Sequence, residues 1–148
     1  MNEEVKEWII KAYEDYITVK YLISLPEDEI ITSAVCFHSQ QFVEKIFKAF
    51  LVLHKVKFGR THNLSLLKEL CSRKDPSIEE LEVENLNMYA VESRYPEIFL
   101  IPSLKEAQKS FKTADYVKEM MFEKLNVQEK EVINWIKELK QKSEKFLK

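Results

Sequence analysis

Three polar side chains in an otherwise apolar segment could do chemistry: His38, Gln41 and Lys45. Their spacing of three and four residues places all three on one narrow face of a helix. They supply an imidazole, an amide and a cation, which suits the binding of a phosphate or a nucleotide. Because polar groups are costly to bury alone, these three must meet partners, water or a cleft. An internal polar network, or a seam against another subunit, explains the same pattern and stays open.

A second candidate lies where a predicted helix ends, at Arg94-Tyr95-Pro96-Glu97. Pro96 disfavours helical backbone at the residue before it, so the segment should turn there. Arg94 then lies at the rim of the fold, where a guanidinium can bind a phosphate through two hydrogen bonds. Arginine is scarce in this lysine-rich chain, which favours a specific role. An ion pair with a carboxylate such as Glu97 or Asp15 is the alternative.

The third candidate is His62, in Thr61-His62-Asn63 at the predicted start of a helix. Free N–H groups and the positive end of the helix dipole could form an anion site there. Ordinary capping by Thr61 or Asn63 explains the same residues. No spacing of His, Cys or acidic residues indicates a metal site, and a single glycine, Gly59, rules out glycine-rich phosphate loops.

The elements that must position these residues are predicted to be helices, because apolar residues recur every three or four positions and no strand alternation stands out. We expect an all-α, up-down bundle of five core helices plus a C-terminal helix. The bundle should span residues 1–125, and residues 126–148 should be a helical extension of the same domain. The predicted helices run from about Asn2 to Leu25, from Asp28 or Glu29 to Lys55, from about Thr61 to Arg73, from Ser77 to about Arg94, from Ser103 to about Leu125, and from Glu129 to Leu147. Capping-box spacing marks the starts at Ser77 and Ser103.

Composition indicates a globular protein without a strong pull toward nucleic acid, since the net charge over 148 residues is −2. Its charged residues are mostly Lys and Glu, which is typical of hyperthermophile proteins but also of stable helices. Cys36 and Cys71 fall on apolar helical positions and should act as small hydrophobes rather than redox groups. No apolar leader or membrane-spanning run stands out, so we expect a cytoplasmic protein.

Taken together, these pieces resemble the HEPN family, the higher eukaryotes and prokaryotes nucleotide-binding domain, in its minimal prokaryotic type. The resemblance covers about residues 5–125. It rests on Ala12-x-x-Asp15, on Thr61-His62-Asn63-Leu64, on Ser93-Arg94-Tyr95-Pro96, on a helix with Ala107 and Ala114, and on the long central motif Cys36-Phe37-His38-x-Gln40-Gln41-x-x-Glu44-Lys45-x-x-Lys48-Ala49.

The resemblance implies a helical bundle with the second helix at its centre, and a homodimer with a cleft near the seam. It also implies RNA or a nucleotide such as ATP or AMP as ligand, without another cofactor. A small nucleotidyltransferase in a toxin–antitoxin-like pair is the implied partner, and Tyr95 is a candidate acceptor of a nucleotidyl group. The ribonuclease members carry His four to six residues after Arg, whereas no histidine here follows His62.

We therefore expect a binding module that uses His38, Gln41, Lys45 and Arg94, with His62 in a secondary role. No catalytic residue is assigned, and Arg94 is the one candidate. A metal-independent ribonuclease with a different base and a purely structural dimer are the alternatives.

Overall fold

A computed structural model describes residues 1–90 and 101–147. The all-α bundle is confirmed, with no strand in these two ranges. The α-helices are α1 (Glu3–Ile23), α2 (Thr32–Leu53), α3 (Leu64–Lys74), α4 (Leu104–Lys124) and α5 (Glu129–Leu147); short 3₁₀ turns cover Glu27–Glu29, Pro76–Glu80 and Glu84–Tyr89.

Helix α2 forms the centre of the bundle and contacts α1, α3 and α4. Phe42, Phe47 and Phe50 are among its fully or almost fully buried side chains, and each stabilises the fold by roughly 1.5–3 kcal/mol. The helix begins three or four residues later than the sequence predicted. Ile30 is extended, with φ −68° and ψ 125°, and its side chain packs beside Val19 and Val35. That packing fixes the chain outside the helical region until Thr32.

The predicted helix from Ser77 to Arg94 is wrong within its described part, where two 3₁₀ turns replace it. The cause is the buried ammonium group of Lys68, which donates to the Leu81 carbonyl over 2.9 Å and to the Glu84 carboxylate over 2.8 Å. A free carbonyl at Leu81 requires a break in the helical ladder. Ser77 is not the cap either, since Asp75 accepts its backbone N–H over 3.1 Å.

The other predicted helix starts agree with the observed caps. Ser103 accepts the backbone N–H of Glu106 over 3.1 Å, and Asn63, one of the two predicted caps, accepts those of Ser65 and Leu66. Asn126 has a positive φ of 54°, which ends α4 and separates it from α5.

Both cysteines are buried, at the contacts of α2 with its neighbours. Cys36 accepts a hydrogen bond from Ser110, and the Cys71 thiol donates to the Phe47 carbonyl. Burial raises the pKa of Cys36 and raises that of Cys71 to about 12. Thiolates are therefore disfavoured at both positions, in keeping with their interpretation as small core side chains.

Helix α5 is attached to α1 and α4 near its start. Tyr13 donates to Glu129 over 3.0 Å, Lys118 also bonds Glu129, and Val132 is buried. Burial alone would raise the pKa of Glu129, but the bonds from Lys118 and Tyr13 outweigh it and lower that pKa. Burial, and next the bond to Glu129, raise the pKa of Tyr13. The division of the domain after residue 125 stays a prediction.

Candidate functional site

The centre of the candidate site is Asp15, an almost fully buried carboxylate on the face of α1 that packs against α2. Its two oxygens accept from different side chains of α2. Nδ1 of His38 lies 2.7 Å from Oδ1, and Nζ of Lys45 lies 2.7 Å from Oδ2. His38 and Lys45 are seven residues apart, which is two helical turns, so both can reach one carboxylate.

The two partners of Asp15 reach the surface although Asp15 does not. The side chains of His38 and Lys45 are 30% and 24% exposed, against 9% for Asp15. An ionised Asp15 only accepts hydrogen bonds, so Nδ1 of His38 carries the proton and Nε2 is the nitrogen left for a ligand. The ammonium of Lys45 keeps two further N–H donors. Donors therefore stand at the surface over a buried anion.

A second cluster lies deeper, around Glu44 of α2. Its carboxylate, only 5% exposed, is 3.0 Å from the Lys48 ammonium, 2.9 Å from Nδ1 of His62 and 3.1 Å from the Gln40 amide. The Lys48 ammonium also lies over the rings of Trp8 and Phe58, at 5.6 and 5.7 Å from their centroids. Cation–π contacts and the ion pair together compensate for burying this charge.

Gln41 connects the surface to the deeper cluster. Its amide donates to the side-chain carbonyl of Gln40 over 2.7 Å, and Gln40 donates in turn to Glu44 and to the backbone carbonyl of His62. We call the whole set the polar band. It comprises Asp15, His38, Gln40, Gln41, Glu44, Lys45, Lys48 and His62.

The structure places most of the predicted site residues in two hydrogen-bonded groups, one around Asp15 and one around Glu44. His38 and Lys45 meet on Asp15, whereas Gln41 belongs to the second group through its bond to Gln40. His62 bonds Glu44, and the cap of α3 is Asn63. Arg94 and Tyr95 lie outside the described residues, as does Glu97. These hydrogen bonds are those of an internal network, while the exposed donors of His38 and Lys45 suit a ligand.

Four members of the polar band were not identified from the sequence as site residues: Asp15, Gln40, Glu44 and Lys48. A signal exists for the three on α2, because residues four apart on a helix are neighbours, and Gln40, Glu44 and Lys48 follow that spacing. In the sequence, Asp15 entered only as an alternative partner for Arg94 and as part of the motif Ala12-x-x-Asp15. Which cations of α2 it holds depends on how α1 packs, and helical spacing alone does not give that.

Residues 1–90 and 101–147 contain neither a cluster of metal-ligating side chains nor a membrane-spanning helix. Within these ranges no three His, Cys, Asp or Glu side chains are grouped to hold a metal ion. No helix there combines the length and apolar character needed to cross a bilayer.

The fold and the polar band define an all-α bundle arranged around a central helix with a polar face. The family model for the HEPN domain matches residues 5–126. The chain therefore belongs to the HEPN family, and the resemblance inferred from its motifs is confirmed. Neither the curated proteins nor the solved structures gave a match.

Proposed function

We propose that this HEPN domain binds the phosphate of a nucleotide or of RNA and does not cleave RNA. The observation that supports this most strongly is the pair of surface donors, His38 and Lys45, held by one buried carboxylate. Because Asp15 already holds both donors in place before a ligand binds, they lose little side-chain freedom on binding. More of their interaction energy therefore appears as affinity.

The chemistry of such a contact is simple. A phosphate oxygen would accept charge-assisted hydrogen bonds from the Lys45 ammonium and, when His38 carries a proton on both ring nitrogens, from its Nε2. Asp15 opposes an anion less than a free carboxylate would, because two donors already share its charge. Gln41 offers its amide beside them. Binding of this kind needs neither a metal ion nor another cofactor.

The remaining site residues and the partners are proposed from the family resemblance. Arg94 would add a guanidinium at the rim, and His62 would contribute a second imidazole. The domain would act in the cytoplasm as a homodimer beside a small nucleotidyltransferase, in a toxin–antitoxin-like pair. Tyr95 is the candidate acceptor in that pair: its phenolic oxygen would attack the α-phosphate of a nucleoside triphosphate and pyrophosphate would leave.

Titration calorimetry with AMP and ATP in the presence of EDTA tests the binding. We expect measurable heat and a raised Tm for the wild type, because a ligand that binds only the folded state stabilises it. His38→Leu should weaken AMP binding about tenfold or more, since it removes one hydrogen bond to a charged group. His54→Leu, at an exposed histidine that caps the opposite end of α2, is the matched control and should bind normally. The proposal would be refuted if the wild type gave no heat of binding and no change in Tm.

A second function is favoured by one observation, the contact between His38 and Asp15. A carboxylate that holds Nδ1 of a histidine leaves Nε2 free to take a proton from a ribose 2′-hydroxyl. The domain would then be a metal-independent ribonuclease with His38 as its base. Transfer RNA and messenger RNA incubated in EDTA should remain intact under the first proposal. Cleavage lost in both His38→Leu and Arg94→Ala would establish the second.

A further inference from the structure

Phe37 is the one phenylalanine of α2 that lies outside the core of the described chain. The other three, Phe42, Phe47 and Phe50, are at most 2% exposed, whereas Phe37 is partly exposed. Among residues 1–90 and 101–147, Phe37 packs in neither of the two clusters of core side chains. Core packing within these ranges therefore does not explain a phenyl ring at this position, and its neighbours on the surface indicate what the ring contacts.

The ring of Phe37 lies against one of the proposed phosphate donors. Its centroid is 5.2 Å from that of the His38 ring, and the two planes meet at 75°, which is an edge-to-face contact. Such a contact occupies at most one face of the phenyl ring. No other aromatic ring of the described chain contacts Phe37, so no aromatic side chain there occupies its second face.

Gln41 lies between Phe37 and His38 around the surface of α2. At about 100° per residue, it is about 40° from Phe37 and about 60° from His38. Its amide donates one N–H to the side-chain carbonyl of Gln40 over 2.7 Å, and this bond holds the amide in place. Because a glutamine amide has two N–H groups, the second N–H and the neighbouring oxygen can pair with the edge of a base.

We propose that Phe37 and Gln41 form a nucleobase subsite, so that the polar band binds nucleoside phosphates in preference to a phosphate without a base. This inference rests on the proposed function, since it takes the phosphate to lie on His38 and Lys45. In a nucleotide a single ribose separates the base from the phosphate. The base must therefore lie close to those two donors, where the ring of Phe37 and the amide of Gln41 are. Stacking on a phenyl ring suits any base, because every base has a flat π face.

A purely structural role of Phe37 would act through His38. The phenyl ring would then keep the imidazole in place against Asp15, and its loss would weaken the binding of every phosphate ligand by the same factor. A nucleobase subsite instead affects only those ligands that contain a base. The two roles are therefore distinguished by comparing ligands with and without a base.

NMR titrations in EDTA with AMP and with ribose 5-phosphate, which has a hydroxyl where AMP has the base, make this comparison. We expect the wild type to bind AMP at least about fivefold more tightly than ribose 5-phosphate. Phe37→Leu should lower the AMP affinity to about that of ribose 5-phosphate, and should leave the affinity for ribose 5-phosphate within about twofold. Phe37→Trp keeps a flat ring and should still prefer AMP at least about fivefold.

The wild type also gives a readout that needs no substitution. Nuclear Overhauser contacts should connect the base protons of bound AMP with the ring protons of Phe37, because stacked rings are in van der Waals contact. Phe146→Leu is the matched control, at a phenylalanine of α5 that is 88% exposed, and should change neither affinity. Circular dichroism should show that all variants keep their helix content.

The outcomes separate the subsite from the proposed function. Equal affinities of the wild type for both ligands, or an absence of Overhauser contacts to Phe37, would overturn the subsite and leave phosphate binding standing. So would unchanged AMP binding by Phe37→Leu, an equal loss of both ligands in that variant, or a loss of the preference for AMP in Phe37→Trp. Binding of neither ligand by the wild type would overturn the proposed function together with the subsite.

Discussion

Glu44→Gln is expected to lower the free energy of unfolding by about 3 kcal/mol or more, and Tm by roughly 10 °C. The carboxylate of Glu44 is buried and accepts from Lys48, His62 and Gln40. Glutamine keeps the shape but removes the charge, so the Lys48 ammonium stays buried without a counter-ion. Urea denaturation of both proteins, with two-state analysis, measures the difference.

The control for Glu44 is Glu69, which also pairs with a cation four residues later, Arg73. Both partners of that pair are exposed, so Glu69→Gln should change stability by about 0.5 kcal/mol or less. Adding Lys48→Met to Glu44→Gln should recover part of the loss, because the unpaired charge is gone. A change under about 1 kcal/mol for Glu44→Gln would mean that water, and not the protein, compensates Lys48.

Lys45→Met is expected to weaken AMP binding about ten- to hundredfold, the largest effect on affinity that the proposed site predicts. Among residues 1–90 and 101–147, Lys45 supplies the only permanent positive charge on Asp15, since His38 is charged only when protonated. Methionine keeps the apolar stem and loses the ammonium, so a charge-assisted hydrogen bond worth roughly 1.5–3 kcal/mol disappears.

Lys74→Met is the matched control for Lys45, at an exposed lysine at the end of α3. It makes the same change in net charge and should leave the AMP affinity within about twofold of the wild type. Equal weakening by both variants would show that AMP responds to the overall charge and not to the polar band. Calorimetric titrations at one salt concentration give both values.

The sequence alone predicted the fold class, the central position of α2 and most helix ends, since these depend on local spacing and capping. The prediction of helices failed where a side chain distant in sequence donates a hydrogen bond to a backbone carbonyl, as Lys68 does to that of Leu81. In the site, spacing on α2 correctly placed His38 and Lys45 on one face. It could not show that Asp15 from α1 joins them, because that contact depends on how two helices pack.

Burial explains why the cluster around Glu44 was not predicted from the sequence. A glutamate and a lysine four apart, as in Glu44 and Lys48, are usually a solvated surface pair. Here both are buried, and the Lys48 ammonium lies over the rings of Trp8 and Phe58, which belong to α1 and to the segment after α2. These aromatic residues are ten or more positions away from Lys48 in either direction, outside any local pattern.

The histidine side chains offer the most direct test of phosphate binding at the polar band. The chain has three histidines, His38, His54 and His62, so their imidazole NMR signals can be followed one by one. During a titration with AMP in EDTA, the His38 signals should shift and saturate while those of His54 stay in place. Unchanged His38 signals at an AMP concentration that saturates the calorimetric titration, or equal shifts at His54, would contradict binding at Asp15, His38 and Lys45.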